Sequence, residues 1–155
     1  MARMTSTGAK LEVALGRPAA QTATAYDDPS MEYDEIGFVT NIPAFGPSIN
    51  PVASQPLATG ITEYFTGFTE LGEMNLEAEF DDDDAGQEVV LDATTFGSST
   101  FGKEFSFRLT MPSGTKFYWV GRFFSSTVEI GSADQMVGTS LNVRVNTQIV
   151  RKKAE

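Results

Sequence analysis

Apolar and polar residues alternate with a period of two in several segments of this chain, most regularly in residues 71–80, LGEMNLEAEF. Met74, Leu76, Ala78 and Phe80 fall on one side of the alternation, and Glu73, Asn75, Glu77 and Glu79 fall on the other. Because successive side chains of a β-strand point to opposite faces of the sheet, the segment predicts a half-buried strand. Its apolar side is expected to pack against a sheet or helix, and its acidic side to lie away from that core.

Other segments add strands of the same kind. Alternation or enrichment in branched and aromatic residues predicts strands within residues 10–15 (KLEVAL), 35–45 (EIGFVTNIPAF), 103–111 (KEFSFRLTM), 116–131 (KFYWVGRFFSSTVEIG) and 141–150 (LNVRVNTQIV). The strand at 116–131 is apolar on both faces near its start, and Gly121 within it indicates a bulge or a close backbone approach. Residues 16–34 have no period and predict a loop, and PSGT at 112–115 predicts a turn.

These elements predict one mainly β domain over residues 1–155, an antiparallel β-sandwich or barrel-like fold with one short α-helix at about residues 84–95. Folding at this length buries roughly two-thirds of the surface of the unfolded chain, so a substantial core is expected.

Four consecutive aspartates, Asp81–Asp84, separate the strand at 71–80 from the predicted helix. An EF-hand loop that began at Asp81 would have Ala85 at its fifth position, where a ligand atom is needed, and a strand rather than a helix before it. A helix start fits better, because Asp84 can cap the first free amides and Gln87 occupies the position of a capping-box partner. The helical spacing places Val89 and Val90 one turn from Ala93 and Phe96. We therefore predict a cap and no metal site.

Residues 43–68, PAFGPSINPVASQPLATGITEYFTGF, contain four prolines and little charge. They predict a long loop that is too apolar to be a solvated linker, so it is expected to be mobile in a free subunit and to lie against a partner subunit. The candidate contact residues are Phe45, Ile49, Val52, Leu57, Ile61, Tyr64 and Phe65.

Composition argues against catalysis. The chain has no cysteine and no histidine, which excludes disulfides, thiolate nucleophiles, the usual zinc sites and histidine acid–base chemistry. There is no P-loop and no dinucleotide fingerprint. The aromatic residues 117–119 suit a sugar site, but aromatic residues in a strand more often belong to a core or an interface. No catalytic residue and no cofactor is predicted. No apolar run is long enough to span a membrane, and the N-terminus lacks the apolar core of a signal peptide, so a cytoplasmic origin is expected.

The charges are divided along the chain. The formal net charge is −10, and no basic residue occurs between Arg17 and Lys103. An acidic body is a poor nucleic-acid binder, because phosphate contacts need Lys and Arg. The division suits head-to-tail contacts between copies, in which Arg151, Lys152 and Lys153 of the tail 151–155 meet the acidic middle of an adjacent subunit. The alternative is that the acidic residues only keep the chain soluble.

The chain resembles the tail tube proteins of long-tailed bacteriophages, a family typified by the lambda major tail protein. Residues 107–149, FRLTMPSGTKFYWVGRFFSSTVEIGSADQMVGTSLNVRVNTQI, resemble the closing hairpin and last strand of that family. Residues 74–92, MNLEAEFDDDDAGQEVVLD, resemble its strand, acidic turn and single short helix, and residues 7–16, TGAKLEVALG, resemble its first strand. The order of elements matches over nearly the whole chain. The immunoglobulin-like C-terminal domain of some relatives is not expected.

The resemblance implies a structural virion protein of a siphovirus, assembled in the bacterial cytoplasm. Six copies would form a ring, and stacked rings would form a tube that holds the tape measure protein and later conducts DNA during ejection. Tail terminator and distal tail proteins would be partners at its ends. The polar face of the inner strands would look into the lumen, which makes Glu73, Glu77 and Glu79 the lumen-facing candidates. Two alternatives remain open from the sequence: a tube protein of a contractile tail or secretion system, and a monomeric acidic β-domain that binds sugar or calcium.

Overall fold

The structure is a computed structural model that describes residues 3–154. Its strands are Lys10–Leu15 (β1), Asp34–Glu35 (β2), Val39–Asn41 (β3), Ser48–Ser54 (β4), Glu63–Glu70 (β5), Glu73–Glu79 (β6), Phe105–Thr110 (β7), Lys116–Glu129 (β8), Gly138–Val145 (β9) and Val150–Lys152 (β10). Its helices are Ala23–Tyr26 (α1) and Ala85–Thr94 (α2). The mainly β, antiparallel class predicted from the alternation is confirmed, and so is the position of the helix at 84–95.

One antiparallel sheet carries the fold, in the order β2-β1-β7-β8-β9-β6-β3, with β10 paired to the start of β8. The order makes β2 and β3 the two edges of the sheet, yet only residues 36–38 separate them in the chain. The sheet must therefore curl until its edges approach each other, and it forms a half-barrel with a seam at residues 36–38.

The prediction of one continuous strand at 35–45 is wrong. The segment divides at this seam into β2 and β3. Phe38 has a φ of 59°, a left-handed conformation that interrupts a strand. The interruption sends β2 to pair with β1 and β3 to pair with β6.

The main core lies inside the curl, between the sheet and α2. Four aromatic side chains form its centre: Phe107 stacks on Trp119 with ring centroids 5.4 Å apart, and Phe123 meets Phe105 and Phe107 edge-on, each at 5.3 Å. Val90 and Ala93 close the core from α2. Phe96, which the helical spacing placed beside Ala93, instead lies beyond the end of the helix and is 90% exposed.

A second, smaller cluster lies on the opposite face of the sheet. Tyr26 of α1 stacks on Tyr118 of β8, and Val120 and Val150 pack beside them. The prediction that β8 is apolar on both faces near its start is confirmed, since Tyr118, Trp119 and Val120 are all buried. The helix α1 lies within residues 16–34, which the sequence predicted as loop. Its single turn begins at Thr22, whose side chain accepts a hydrogen bond from the amide of Ala25.

Gly121 permits the close approach that the sequence predicted. A Cβ at this position would lie 2.5 Å from the carbonyl oxygen of Arg144 on β9. The register irregularity of β8 falls slightly later, between Phe123 and Ser125.

The aspartate run does begin the helix. Asp84 is the N-cap of α2, and its Oδ2 accepts hydrogen bonds from the amides of Gln87 at 2.9 Å and Gly37 at 3.0 Å. Gln87 does not complete a capping box, which corrects the prediction. Its side chain is buried and bridges the seam instead: Nε2 donates to the carbonyls of Gly37 and Glu79, and Oε1 accepts from the amide of Asp81.

Replacing Asp84 by Ala should lower the free energy of unfolding by about 2 kcal/mol, because it removes a helix cap and leaves the seam amide of Gly37 without an acceptor. Urea denaturation measures the change. Asp84→Asn, which retains an acceptor oxygen at the cap, should recover most of it. A loss well under 1 kcal/mol for Asp84→Ala would show that the side chain is not a structural cap.

Candidate functional site

The hairpin formed by β4 and β5 lies outside the main sheet. The two strands pair only with each other and form a separate two-stranded sheet. The prediction of a long loop over residues 43–68 is therefore wrong for the residues of β4 and β5, which form strands. Pro51 lies in β4 beside a shift in register, where a residue that cannot donate a ladder hydrogen bond is tolerated, so the prolines did not exclude a strand.

Both faces of this hairpin carry exposed apolar side chains. Val52 and Phe65 form a cross-strand pair, whereas Tyr64 is adjacent to Phe65 in β5 and so lies on the opposite face. The large hydrophobic residues exposed on the hairpin and its turn are Ile49, Val52, Leu57, Ile61, Tyr64, Phe65 and Phe68. An isolated two-stranded hairpin is at best marginally stable in water. Six of the seven predicted contact residues thus lie together on one unsupported element.

Phe45 is the exception among these candidates. It is partly buried, stacks on Trp119 with centroids 5.9 Å apart, and meets Phe117 edge-on at 5.3 Å. Phe45 therefore anchors the base of the hairpin to the main core and does not belong to its exposed surface.

The acidic strand β6 has the two faces that its sequence predicts. Met74, Leu76 and Ala78 are buried, whereas Glu73, Asn75 and Glu77 are exposed and Glu79 is half-buried. The paired strand β9 adds Ser140, Asn142 and Arg144 to the same face, in register with Glu77, Asn75 and Glu73. The structure thus brings the three glutamates together on one polar face.

That face is less uniformly acidic than the sequence suggests. Arg144 forms an ion pair with Glu73, with 3.3 Å between its Nη2 and the carboxylate, and Arg122 lies directly opposite Arg144 on β8. Glu77 and Glu79 have no ion-pair partner within residues 3–154, so they carry most of the negative charge of the face. The missed arginine occupies a polar position of the alternating segment LNVRVN, and only knowledge of the β6–β9 register would have placed it beside Glu73.

The basic tail is partly ordered as strand β10. Arg151 and Lys152 lie in that strand, opposite Phe117 and Lys116 of β8, and Lys153 follows it as an exposed residue. Lys152 donates to Asp27 of the same chain at 3.4 Å. Arg151 and Lys153 make no ion pair with the described part of the chain.

A charged cluster around Asp27 joins three distant parts of the chain, and sequence reasoning did not find it. Asp27 accepts hydrogen bonds from the hydroxyl of Tyr118 at 2.8 Å and from Arg108 at 3.2 Å, in addition to its contact with Lys152. Arg108 also pairs with Glu12, and its guanidinium lies 4.1 Å from the ring centre of Tyr33. No local pattern signals this cluster, since its members are far apart in sequence.

Burial and charge shift the pKa values in this cluster. Burial alone would raise the pKa of Asp27, but hydrogen bonds from Tyr118 and Arg108 and the nearby lysines outweigh it and lower that pKa. Burial raises the pKa of Tyr118, and the hydrogen bond and charge of Asp27 raise it further. Asp27 is therefore held as a carboxylate and Tyr118 as a neutral donor, which is an arrangement that stabilises structure.

Residues 3–154 contain neither a metal-binding cluster nor a membrane-spanning helix. No group of three or more carboxylates is placed to hold a metal ion there. In the same part of the chain, neither helix has the length and apolar character needed to cross a bilayer.

Comparison with known proteins identifies the fold through structure alone. No protein-family model matches the sequence, and no curated protein matches it. A chain in the six-fold symmetrised cryo-EM structure of the anti-feeding prophage (AFP) baseplate aligns with a TM-score of 0.68 at 10% identity, over 98% of this chain and 97% of that one.

Two further structures align comparably. A chain in the tail of the empty gene transfer agent particle, determined with C6 symmetry, gives a TM-score of 0.59 at 14% identity, over 92% of this chain and 96% of that one. The SPP1 tail tube gives 0.59 at 12% identity, over 94% and 77%. The chain thus has a fold found in tail tube and baseplate proteins, and the fold that the sequence resemblance implied is confirmed.

Proposed function

We propose that this chain is a structural tail protein that assembles with copies of itself into stacked six-membered rings, and that these rings form a tail tube through which DNA passes. The hairpin β4–β5 carries the proposal, because it displays apolar side chains on both faces that a single subunit does not cover. The shared fold supports the same conclusion. The six-fold and C6 symmetries of the AFP baseplate and the gene transfer agent tail support a ring of six.

The proposed role is structural and not enzymatic. The tape measure protein would occupy the lumen before DNA, and terminator and distal tail proteins would bind the two ends of the tube. The protein would be assembled in the bacterial cytoplasm and would end in the virion tail.

Electron microscopy of the purified chain at increasing concentration tests self-assembly. We expect rings and tubes with six-fold symmetry, together with a concentration-dependent increase in sedimentation. A chain that remains monomeric at all concentrations would contradict the proposal and would favour the monomeric binding domain.

A matched pair of hairpin variants links assembly to the proposed surface. Tyr64→Ser with Phe65→Ser should abolish tubes while leaving the melting temperature of the monomer nearly unchanged, since both side chains are exposed. The control, Tyr64→Phe with Phe65→Tyr, keeps the aromatic area and should assemble. In the wild-type tube, amide exchange of residues 48–70 should be slower than in the monomer.

We further propose that Glu73, Glu77 and Glu79 face the lumen. Repeated around and along the tube, the carboxylates of Glu77 and Glu79 give the channel a negative field that low-dielectric walls focus. DNA in such a channel meets like charge and does not form counterion-releasing contacts with the wall.

Replacing Glu77 and Glu79 by Lys should slow DNA release from particles while tubes still form, because phosphates would then find cations along the wall. The measurement is the rate of DNA ejection from particles that carry the variant. Glu77→Gln with Glu79→Gln serves as the control for side-chain length and should have a much smaller effect. Normal ejection from the lysine variant would place this face outside the lumen.

The basic tail is proposed to help rings stack by meeting the acidic part of an adjacent subunit. Because Lys152 already contacts Asp27, Arg151 and Lys153 are the residues to change. Arg151→Gln with Lys153→Gln should slow tube growth and weaken its dependence on salt, which screens exposed charges. Growth rates from light scattering at low and high salt measure this. An unchanged salt dependence would show that the basic tail is solvated and does not contact an adjacent subunit.

A contractile injection tube is the second candidate, since chains of the AFP particle and of an extracellular contractile injection system share the fold. Co-assembly with a sheath protein would favour it over a non-contractile tail.

A further inference from the structure

A cationic aromatic patch lies next to the C-terminal end of α2. We define it as Leu15, Arg17, Phe96, Phe101, Lys103 and Arg122. Phe96 and Phe101 meet edge-on with ring centroids 5.6 Å apart, and they are 90% and 48% exposed. Leu15, Arg17, Lys103 and Arg122 line one open depression beside Gly102. The aromatic pair adjoins this depression in the chain, because Phe101 directly precedes Gly102.

The patch is basic in a chain that is otherwise strongly acidic. Arg17 and Arg122 share a single carboxylate, Glu104, at 2.7 and 3.2 Å, and Arg122 also donates to the carbonyl of Gly102. Lys103 is exposed and makes no ion pair with any residue between 3 and 154. Three cations with one carboxylate leave an excess of positive charge, in a chain whose net charge is −10.

The β4–β5 hairpin is complementary to the cationic aromatic patch, because it is aromatic and acidic. Its strands carry exposed Tyr64, Phe65 and Phe68 together with the acidic residues Glu63 and Glu70, and residues 43–72 contain no Lys or Arg. Aromatic rings pack well against other aromatic rings and against guanidinium groups, and opposite charges at the rim favour one orientation. The two surfaces therefore match in both apolar character and charge.

The two surfaces lie beside different strands of the sheet, the patch next to β1 and β7 and the hairpin next to β6. The antiparallel pairings make β1, β6 and β8 parallel to one another. The hairpin immediately precedes the start of β6, whereas the patch follows the end of β1 and precedes β7. A contact between two different surfaces of the same chain is heterologous, so it continues from copy to copy.

We infer that the cationic aromatic patch of one copy receives the β4–β5 hairpin of a second copy. The inference rests on the proposed self-assembly and specifies which surface is used. Phe96 and Phe101 cover the aromatic residues of the hairpin, and Lys103 with the two arginines meets Glu63 and Glu70. The occupant is a second copy of this chain, because the complementary element lies on the chain itself.

Cross-linking in the cysteine-free chain provides the direct test. Tubes are grown from an equal mixture of Tyr64→Cys and Phe101→Cys subunits and treated with a short bis-maleimide. We expect a covalent dimer that contains one subunit of each kind. The matched control replaces Phe101→Cys by Met136→Cys, a change at another large exposed hydrophobic residue, 72% exposed, in the β8–β9 loop. A dimer with Met136→Cys but not with Phe101→Cys would overturn the inference.

A charge reversal provides the second readout. Lys103→Glu should raise the protein concentration needed for tube formation about tenfold or more, whereas Lys10→Glu, an exposed reversal at the start of β1, should change it little. Equal behaviour of the two variants would overturn the inference. If the wild-type chain forms no tubes, the proposed function fails. If it forms tubes and neither cross-linking nor charge reversal identifies the patch, only this inference fails.

Discussion

Replacing Gly86 by Ala should lower the free energy of unfolding by about 3 kcal/mol, although Gly to Ala inside a helix ordinarily stabilises a protein by about 1 kcal/mol. The sign reverses because α2 packs its first turn directly on the seam of the half-barrel. A Cβ at position 86 would lie 2.2 Å from the carbonyl oxygen of Glu35 and 2.6 Å from the Cα of Ile36. Both are backbone atoms, so no side chain can rotate away and the helix itself must move.

Chemical denaturation of the variant measures this effect. Glu88→Ala is the matched control, because Glu88 is exposed in the same helix and its loss should change stability by less than about 0.5 kcal/mol. If Gly86→Ala proved as stable as the wild-type chain, the first turn of α2 would not be in close contact with the backbone of residues 35–36.

Replacing Asp27 by Ala should cost about 2 to 3 kcal/mol at neutral pH. The substitution leaves the buried hydroxyl of Tyr118 without its acceptor and removes one of the two carboxylates that pair with Arg108. It also releases Lys152 of β10, so it loosens the attachment of both α1 and the C-terminal strand to the sheet. Asp27 is partly exposed, which keeps the expected loss below that of a fully buried ion pair.

The same cluster predicts a pH dependence. Because the pKa of Asp27 is lowered in the folded state, its stabilising contribution is present above the unfolded value near 3.9 and is lost as the pH falls through the folded value. The stability of the wild-type chain should therefore fall more steeply below about pH 4 than that of Asp27→Asn. Identical profiles for wild type and Asp27→Asn would show that this carboxylate does not couple folding to protonation.

Period-two alternation made most of the sheet predictable. In β6 and β9 only one face of each strand is buried, and burial of one face fixes the pattern of residues along the strand. In β1 and β7 the core face shows the same alternation, although Ala14 and Ser106 are also buried on the other face. The cap at Asp84 was predictable for a similar reason, since capping depends on residues within one turn of the helix start. The hairpin was missed because its apolar residues lie on both faces and its prolines resemble those of a loop.

By itself, the sequence determined the local properties: the strands with one apolar face, the start of the helix, the absence of cysteine and histidine, and the apolar character of residues 43–68. Tertiary structure alone decided which strands are neighbours. That choice placed Arg144 beside Glu73, joined Asp27 to Arg108 and Tyr118, and put Gln87 across the seam, because each of these contacts joins residues far apart in the chain. It also decided that Phe45 packs against the main core while Tyr64 and Phe65 are exposed. The burial of an aromatic side chain depends on which other residues the fold places around it, and the residue type alone does not determine this.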